Sequence, residues 1–227
     1  MNVDYKVKRS SKRKKLTITV ERNRQIVISA PTSTSEEVIR EFFESKRQWI
    51  YEKTNHLQKY EARPHPPGKE IVNGESALYL GYEYQIEIYT GDTTEIRLEQ
   101  RFLVPSSLVG ERRKVFHKWY VDRAKEYLIP KVKSFGSTLG VEFASAKIMD
   151  SRYRWGSCTV KNNINLNWRL IKAPMFVIDY VIVHELAHLM EANHTSRFWN
   201  IVRTHAPLME KAQRWLKENG QILEQDI

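Results

Sequence analysis

The chain is 227 residues long, with 41% hydrophobic and 28% charged residues. That is enough chain for a full core, as one large domain or two small ones, and the composition excludes a disordered or fibrous protein. No apolar run reaches the roughly 18 residues of a membrane span, no signal-peptide core opens the chain, and the single cysteine, Cys158, excludes an internal disulfide. These features predict a cytoplasmic protein without a membrane span.

The net charge of +10 is unevenly placed: residues 1–24 carry nine Lys or Arg against Asp4 and Glu21. Such a cluster can dock nucleic acid, nucleotides or another polyanion through phosphate contacts. The favoured reading is a solvated edge that resists aggregation, since from Lys6 to Arg24 no aromatic residue interleaves with the charges for stacking. Within it, Lys15–Val20 and Gln25–Ala30 alternate and are rich in β-branched residues, which predicts a β-hairpin. After Pro31, Thr34 is the expected N-cap of a long helix reaching about Gln58, with Ser35, Glu36 and Glu37 in its first turn.

Three prolines and a glycine in Arg63–Lys69 mark a stiff connector. The expected organisation is therefore a basic hairpin plus long helix over 1–62, a Pro-rich connector at 63–70, and a β-rich and helical section over 71–227, or all three in one integrated domain. The third section opens with strands at Ser76–Leu80, Glu83–Tyr89, Glu95–Leu98 and Arg101–Pro105, with turns at Gly81 and Gly91-Asp92. A helical pattern then runs from Val109 to Phe135, with a break expected at Pro130. Lys147–Asp150 reads as a short strand. Arg154–Cys158 reads as a loop with a tight backbone approach at Gly156, followed by a strand with Ile164, Leu166 and Trp168 on one face.

Pro174 opens a strongly apolar helix that carries His184-Glu185-Leu186-Ala187-His188. Histidines four apart stack on one helix face and can share a zinc ion, with the glutamate beside them serving the metal's water. Burying two imidazoles and a carboxylate without a metal would be costly. A catalytic zinc needs a third protein ligand, and His194 can supply it if the helix stops near Glu191–Asn193 and the chain reverses, with Asn193 left-handed and Thr195 or Ser196 capping the next helix. On a continued helix His194 would face about 240° away, and a carboxylate such as Glu210 would have to complete the site. Cys158 reads as a small buried thiol rather than a nucleophile or fourth ligand, which would close the open position. Arg152, Tyr153 and Arg154 are the candidate donors to a developing oxyanion or to substrate.

Arg154–Cys158, Asn167-Trp168-Arg169, Asp179-Tyr180-Val181, the H-E-x-x-H and Asn193-His194 followed by Phe198-Trp199 resemble the YgjP-like metallopeptidases. Those are similar to the SprT-like and WLM peptidases and belong with the zincin-type enzymes. The histidine spacing also matches metzincins, but Glu191 stands where their pattern has glycine and no Met-turn is evident. The resemblance implies an α+β fold with a zincin-like core, a metal-binding helix and a small mixed sheet. It also implies Zn2+ on His184, His188 and His194, with Glu185 as general base. The expected function is a zinc-dependent hydrolase acting on polypeptide. Two alternatives stand beside it. One is a metal-dependent nucleoside triphosphate pyrophosphatase, an activity attached to YgjP-like proteins. The other is a zinc-containing nucleic-acid-associated binding protein.

Overall fold

The computed structural model describes residues 5–20, 25–54, 70–91, 93–151 and 154–224. By internal contacts the chain divides into two compact units, Met1–Pro67 and Gly68–Ile227. Each has its own apolar core.

In the first unit, strands β1 (Tyr5–Ser10), β2 (Thr17–Val20) and β3 (Ile26–Pro31) form a sheet in the order β1-β3-β2. The expected hairpin is present as β2 and β3, antiparallel with Ile18 opposite Ile28. β1, which lies parallel to β3 with Val7 opposite Ile28, was not expected. Its period-two pattern is plain once the lysines are set aside: Tyr5 and Val7 pack on the core while Lys6 and Lys8 are exposed. Lys12, Arg13, Lys14 and Lys15 thus belong to the β1–β2 connection rather than to the hairpin itself.

Helix α1 (Glu36–Ser45) is capped by Ser35, whose hydroxyl accepts from the Val38 N–H, so the cap falls one residue after the expected Thr34. Ile39 and Phe43, one turn apart, are its buried residues. They meet Ile26, Ile28, Ala30 and Ile50 in the core. The helix expected to run unbroken to Gln58 ends at Lys46, whose backbone leaves helical values (φ −108°, ψ 7°). Helix α2 (Arg47–Thr54) restarts from the Lys46 carbonyl, which accepts from Ile50 N–H at 2.8 Å. The rest of that expected helix and the Pro-rich connector lie outside the described residues.

The second unit holds two sheets. β4 (Ser76–Tyr79), β5 (Tyr82–Tyr89), β6 (Arg97–Leu98) and β7 (Phe102–Pro105) pair in the order β4-β5-β7-β6, parallel between β5 and β7 and antiparallel elsewhere. β8 (Ser145–Met149), β9 (Gly156–Cys158) and β10 (Asn163–Asn167) pair in the order β8-β10-β9, parallel then antiparallel. Helices and mixed sheets share one core, so the class is α+β. Gly81, at φ +85°, makes the β4–β5 turn and packs directly on Pro174: a Cβ there would stand 2.7 Å from the Pro174 Cα.

Helix α3 (Arg112–Leu139) buries Phe116, Tyr120, Ala124, Leu128, Val132 and Gly136, a four-residue repeat that makes one continuous stripe. It passes through Pro130 without the expected break. Pro130 lies on the exposed face, where the carbonyl it leaves unbonded is open to water. Gly140 ends the helix in the left-handed conformation at φ 67°. The strand expected to extend through Trp168 ends at Asn167 instead. The Asn167 side chain accepts from Arg169 N–H and starts a 3-10 turn, Trp168–Lys172. Helices α4 (Met175–Ala187), α5 (Ser196–His205) and α6 (Met209–Glu224) complete the unit. Lys172, buried, sits over the rings of Tyr120 and Trp168 and reaches the Leu223 carbonyl at 3.5 Å, where a cation suits the C-terminal end of α6. Among the described residues no helix is long and apolar enough to cross a membrane.

Candidate active site

Helix α4 is apolar on nearly every side: Val177, Ile178, Tyr180, Val181, Ile182, Val183, Leu186 and Ala187 are all buried. It therefore packs as a core element against α3, α5, α6 and β9, and its polar residues hold fixed positions. His184 and Glu185 lie in its last turn, and His188 is its C-cap. The helix stops there. The chain reverses through 189–194, and Thr195 caps α5 by accepting from Phe198 N–H at 3.3 Å. The reversal needs no left-handed residue at Asn193: the non-glycine residues with positive φ among those described are Ile71, Leu80 and Asn162.

The turn carries His194 back over the helix. Its Nε2 lies 3.1 Å from the Nε2 of His184, and a ligand atom from each of His184, His188 and His194 lies within 4.8 Å of the others. His188 Nδ1 faces the Glu191 carbonyl at 3.4 Å, a contact that turns its Nε2 toward the cluster. Tetrahedral zinc, with Zn–N distances of about 2.0–2.1 Å, holds its nitrogens about 3.3–3.4 Å apart, so the arrangement fits such an ion after small adjustments. Phe198 and Trp199 of α5 wall the cluster: His188 packs on Phe198 at 4.6 Å and His194 stacks on Trp199 at 5.4 Å. Burial pushes the His184 imidazole down to about 4, with His188 and His194 adding to the effect, and burial likewise lowers His188. Both rings are therefore neutral at pH 7, the state in which imidazole donates to a metal. Glu210 stands apart, paired on the surface with Arg203.

Glu185 turns the other way, onto β9. Its carboxylate lies against Gly156, where a Cβ would meet Glu185 Cγ at 2.6 Å and Oε1 at 2.7 Å. This is the close approach that Gly156 provides. Burial raises the carboxyl to about 7, partly offset by the backbone N–H of Cys158 and the charge of Arg154. Cys158 is half-buried, and its thiol is pushed up by burial and by Glu185. It is a neutral donor to the Thr159 carbonyl and not part of the histidine cluster. Arg154 is exposed beside Glu185, while Arg152 and Tyr153 lie outside the described residues.

Two supports of the site had no clear signal in the sequence. Gln213 of α6 donates to the Tyr180 hydroxyl at 3.1 Å, anchoring α4 one turn before His184. Asn167, buried, bonds the loop before β9. Asn167 stood in the Asn167-Trp168-Arg169 run of the sequence, but the alternation set it opposite Ile164 and Leu166 and did not name this contact.

Three imidazoles, from the end of α4 and the turn after it, gather near a buried carboxylate, a donor set that can hold a metal ion beside an acid–base group. The family model for the "YgjP-like, metallopeptidase domain" matches residues 14–219, nearly the whole chain, and the protein belongs to that family of metal-dependent peptidases. Two solved structures are similar over part of the chain. One is the metallopeptidase zymogen abylysin of Pyrococcus abyssi, at 21% identity over 40% of this chain and 93% of that one, with a TM-score of 0.35. The other is the metallopeptidase zymogen jannalysin of Methanocaldococcus jannaschii, at 21% identity over 42% and 96%, with a TM-score of 0.37. No curated protein matches the chain.

Proposed function

We propose that the protein is a cytoplasmic zinc peptidase in which His184, His188 and His194 hold the ion and Glu185 is the general base. The observation that carries this reading is the convergence of three ligand nitrogens within 4.8 Å beside a buried carboxylate. Zinc, when bound, supplies a Lewis acid to water and to the scissile carbonyl at neutral pH. The chain's own residues do the rest. Glu185, with its carboxyl at about 7, is matched to take a proton from the attacking water and return it to the leaving amine. The Cys158 N–H fixes one side of that carboxylate. β9 is the edge strand of its sheet, so an extended polypeptide can add to it as a further strand. Arg154, exposed beside Glu185, serves as a donor to the substrate carbonyl, and its sequence neighbours Arg152 and Tyr153, outside the described residues, are assigned to substrate contact.

The test is a side-by-side assay of the zinc-loaded protein on an unfolded polypeptide and on nucleoside triphosphates. We expect polypeptide cleavage, abolished in Glu185→Gln while about one equivalent of zinc is retained, because an amide cannot accept the proton. Hydrolysis of the triphosphate alone would overturn the substrate assignment. An active Glu185→Gln would overturn the choice of base.

A further inference from the structure

The segment that brings Arg154 and β9 up to Glu185 is tied down from behind by one buried side chain. Asn167, 2% exposed, ends β10. Its Nδ2 donates to two carbonyls of the loop before β9, Ser151 at 2.6 Å and Arg154 at 3.1 Å. Its backbone N–H donates to a third, Trp155, at 2.8 Å. Its Oδ1 accepts from Arg169 N–H at 3.1 Å, which fixes the side-chain rotamer. Both amide protons and the amide oxygen are thus committed. Two residues on, the Arg169 guanidinium binds Asp150 and lies 4.5 Å over Trp168, tying down the start of the same loop.

The loop's far end leaves little tolerance. Gly156 follows Trp155 directly, pairs with Leu166, and is where the Glu185 carboxylate rests with no room for a Cβ. Any shift of Trp155 moves Gly156 and the Cys158 N–H relative to Glu185. The histidines sit on α4 and on the turn after it, so they do not depend on this loop for their placement.

We infer that Asn167 is a positioning residue for the hydrolytic reaction: through its bonds to the Ser151, Arg154 and Trp155 carbonyls it sets the register of β9 against Glu185. This rests on the reading of Glu185 as general base. An aspartate at 167 has the same shape but cannot donate, and it would set a carboxylate against two carbonyl oxygens.

The experiment compares wild type, Asn167→Asp, Asn167→Ser and Glu185→Gln, all zinc-loaded, on unfolded polypeptide. Zinc content and amide hydrogen exchange of the metal-free proteins are measured alongside. In Asn167→Asp we expect about one zinc retained and a fall in kcat of about 100-fold, the scale of a 1 Å misplacement, with KM little changed. Exchange should quicken at residues 154–158 and stay as in wild type across 175–187. Asn167→Ser keeps one donor on a shorter arm and should fall between the two. Wild-type kcat in Asn167→Asp, or a loss confined to KM, overturns the inference. So does zinc loss in parallel with activity in both variants, or failure of both to fold, since each makes the residue structural only. If Glu185→Gln is active, the functional reading fails, while the exchange pattern still decides whether Asn167 sets the loop.

Discussion

At the scale of single residues, Gly156 and Glu185 form one feature. Gly156 is not among the glycines with positive φ, so its backbone would accept alanine, and the nearest obstacle is the Glu185 side chain. Gly156→Ala should cost about 1–3 kcal/mol by overpacking and displace the base, lowering kcat with zinc content unchanged. Gly220→Ala is the control: its Cβ would meet Trp155 at an ordinary 3.5 Å, and within a helix the change should be neutral or stabilising in a melt. The Glu185 carboxyl also gives the metal-free protein a pH signature. Its value rises from 4.5 to about 7 on folding, so the folded state holds the proton more tightly than the unfolded chain. The associated stability is fully present below 4.5 and is lost as pH rises toward 7. Glu185→Gln should therefore melt like wild type at pH 4.5 and be the more stable by roughly 1–3 kcal/mol at pH 8. Equal melts at both values would show that the carboxylate is not buried as described.

At the scale of elements, the end of α4 decides which third ligand is available. The helix stops at His188 and the turn returns His194 to within 3.1 Å of His184, while Glu210 is occupied with Arg203. His194→Ala should cost a large part of the zinc affinity in a competition titration, and Glu210→Ala should cost none. The reverse result would sink the ligand set. Much of this arrangement was legible, because apolar runs, the H-E-x-x-H spacing and capping residues act locally. Where the expectations failed, the deciding contact was remote in sequence or of a kind that patterns do not record. Tyr5 and Val7 had no strand assigned within the basic cluster, and the partner that makes them one is β3. Pro130 was expected to break α3, but on its exposed face the freed carbonyl costs little. Asn193 was assigned a left-handed turn that the chain does not use. Gly156 announced a close approach without naming its partner, Glu185, 29 residues on.

At the scale of the whole molecule, charge is sorted within the first unit. Lys6 and Lys8 lie on the exposed side of β1, and Lys12 to Lys15 fill the next connection, while Glu36, Glu37, Glu41 and Glu44 lie on α1. If the basic side docks a polyanion, the log of the affinity for duplex DNA should fall linearly with log salt. Replacing Lys12, Arg13, Lys14 and Lys15 together by Gln should flatten that line; an unchanged slope, or no binding at low salt, would return these residues to a solvating role. In the second unit the last helix braces the surroundings of the site at three points. Gln213 holds Tyr180, Gly220 receives Trp155, and Leu223 takes Lys172. Those contacts are made by residues translated after all three histidines and Glu185. A chain ending before α6 would keep all three histidines and Glu185 but lose these contacts to α4, to Trp155 and to the 3-10 turn.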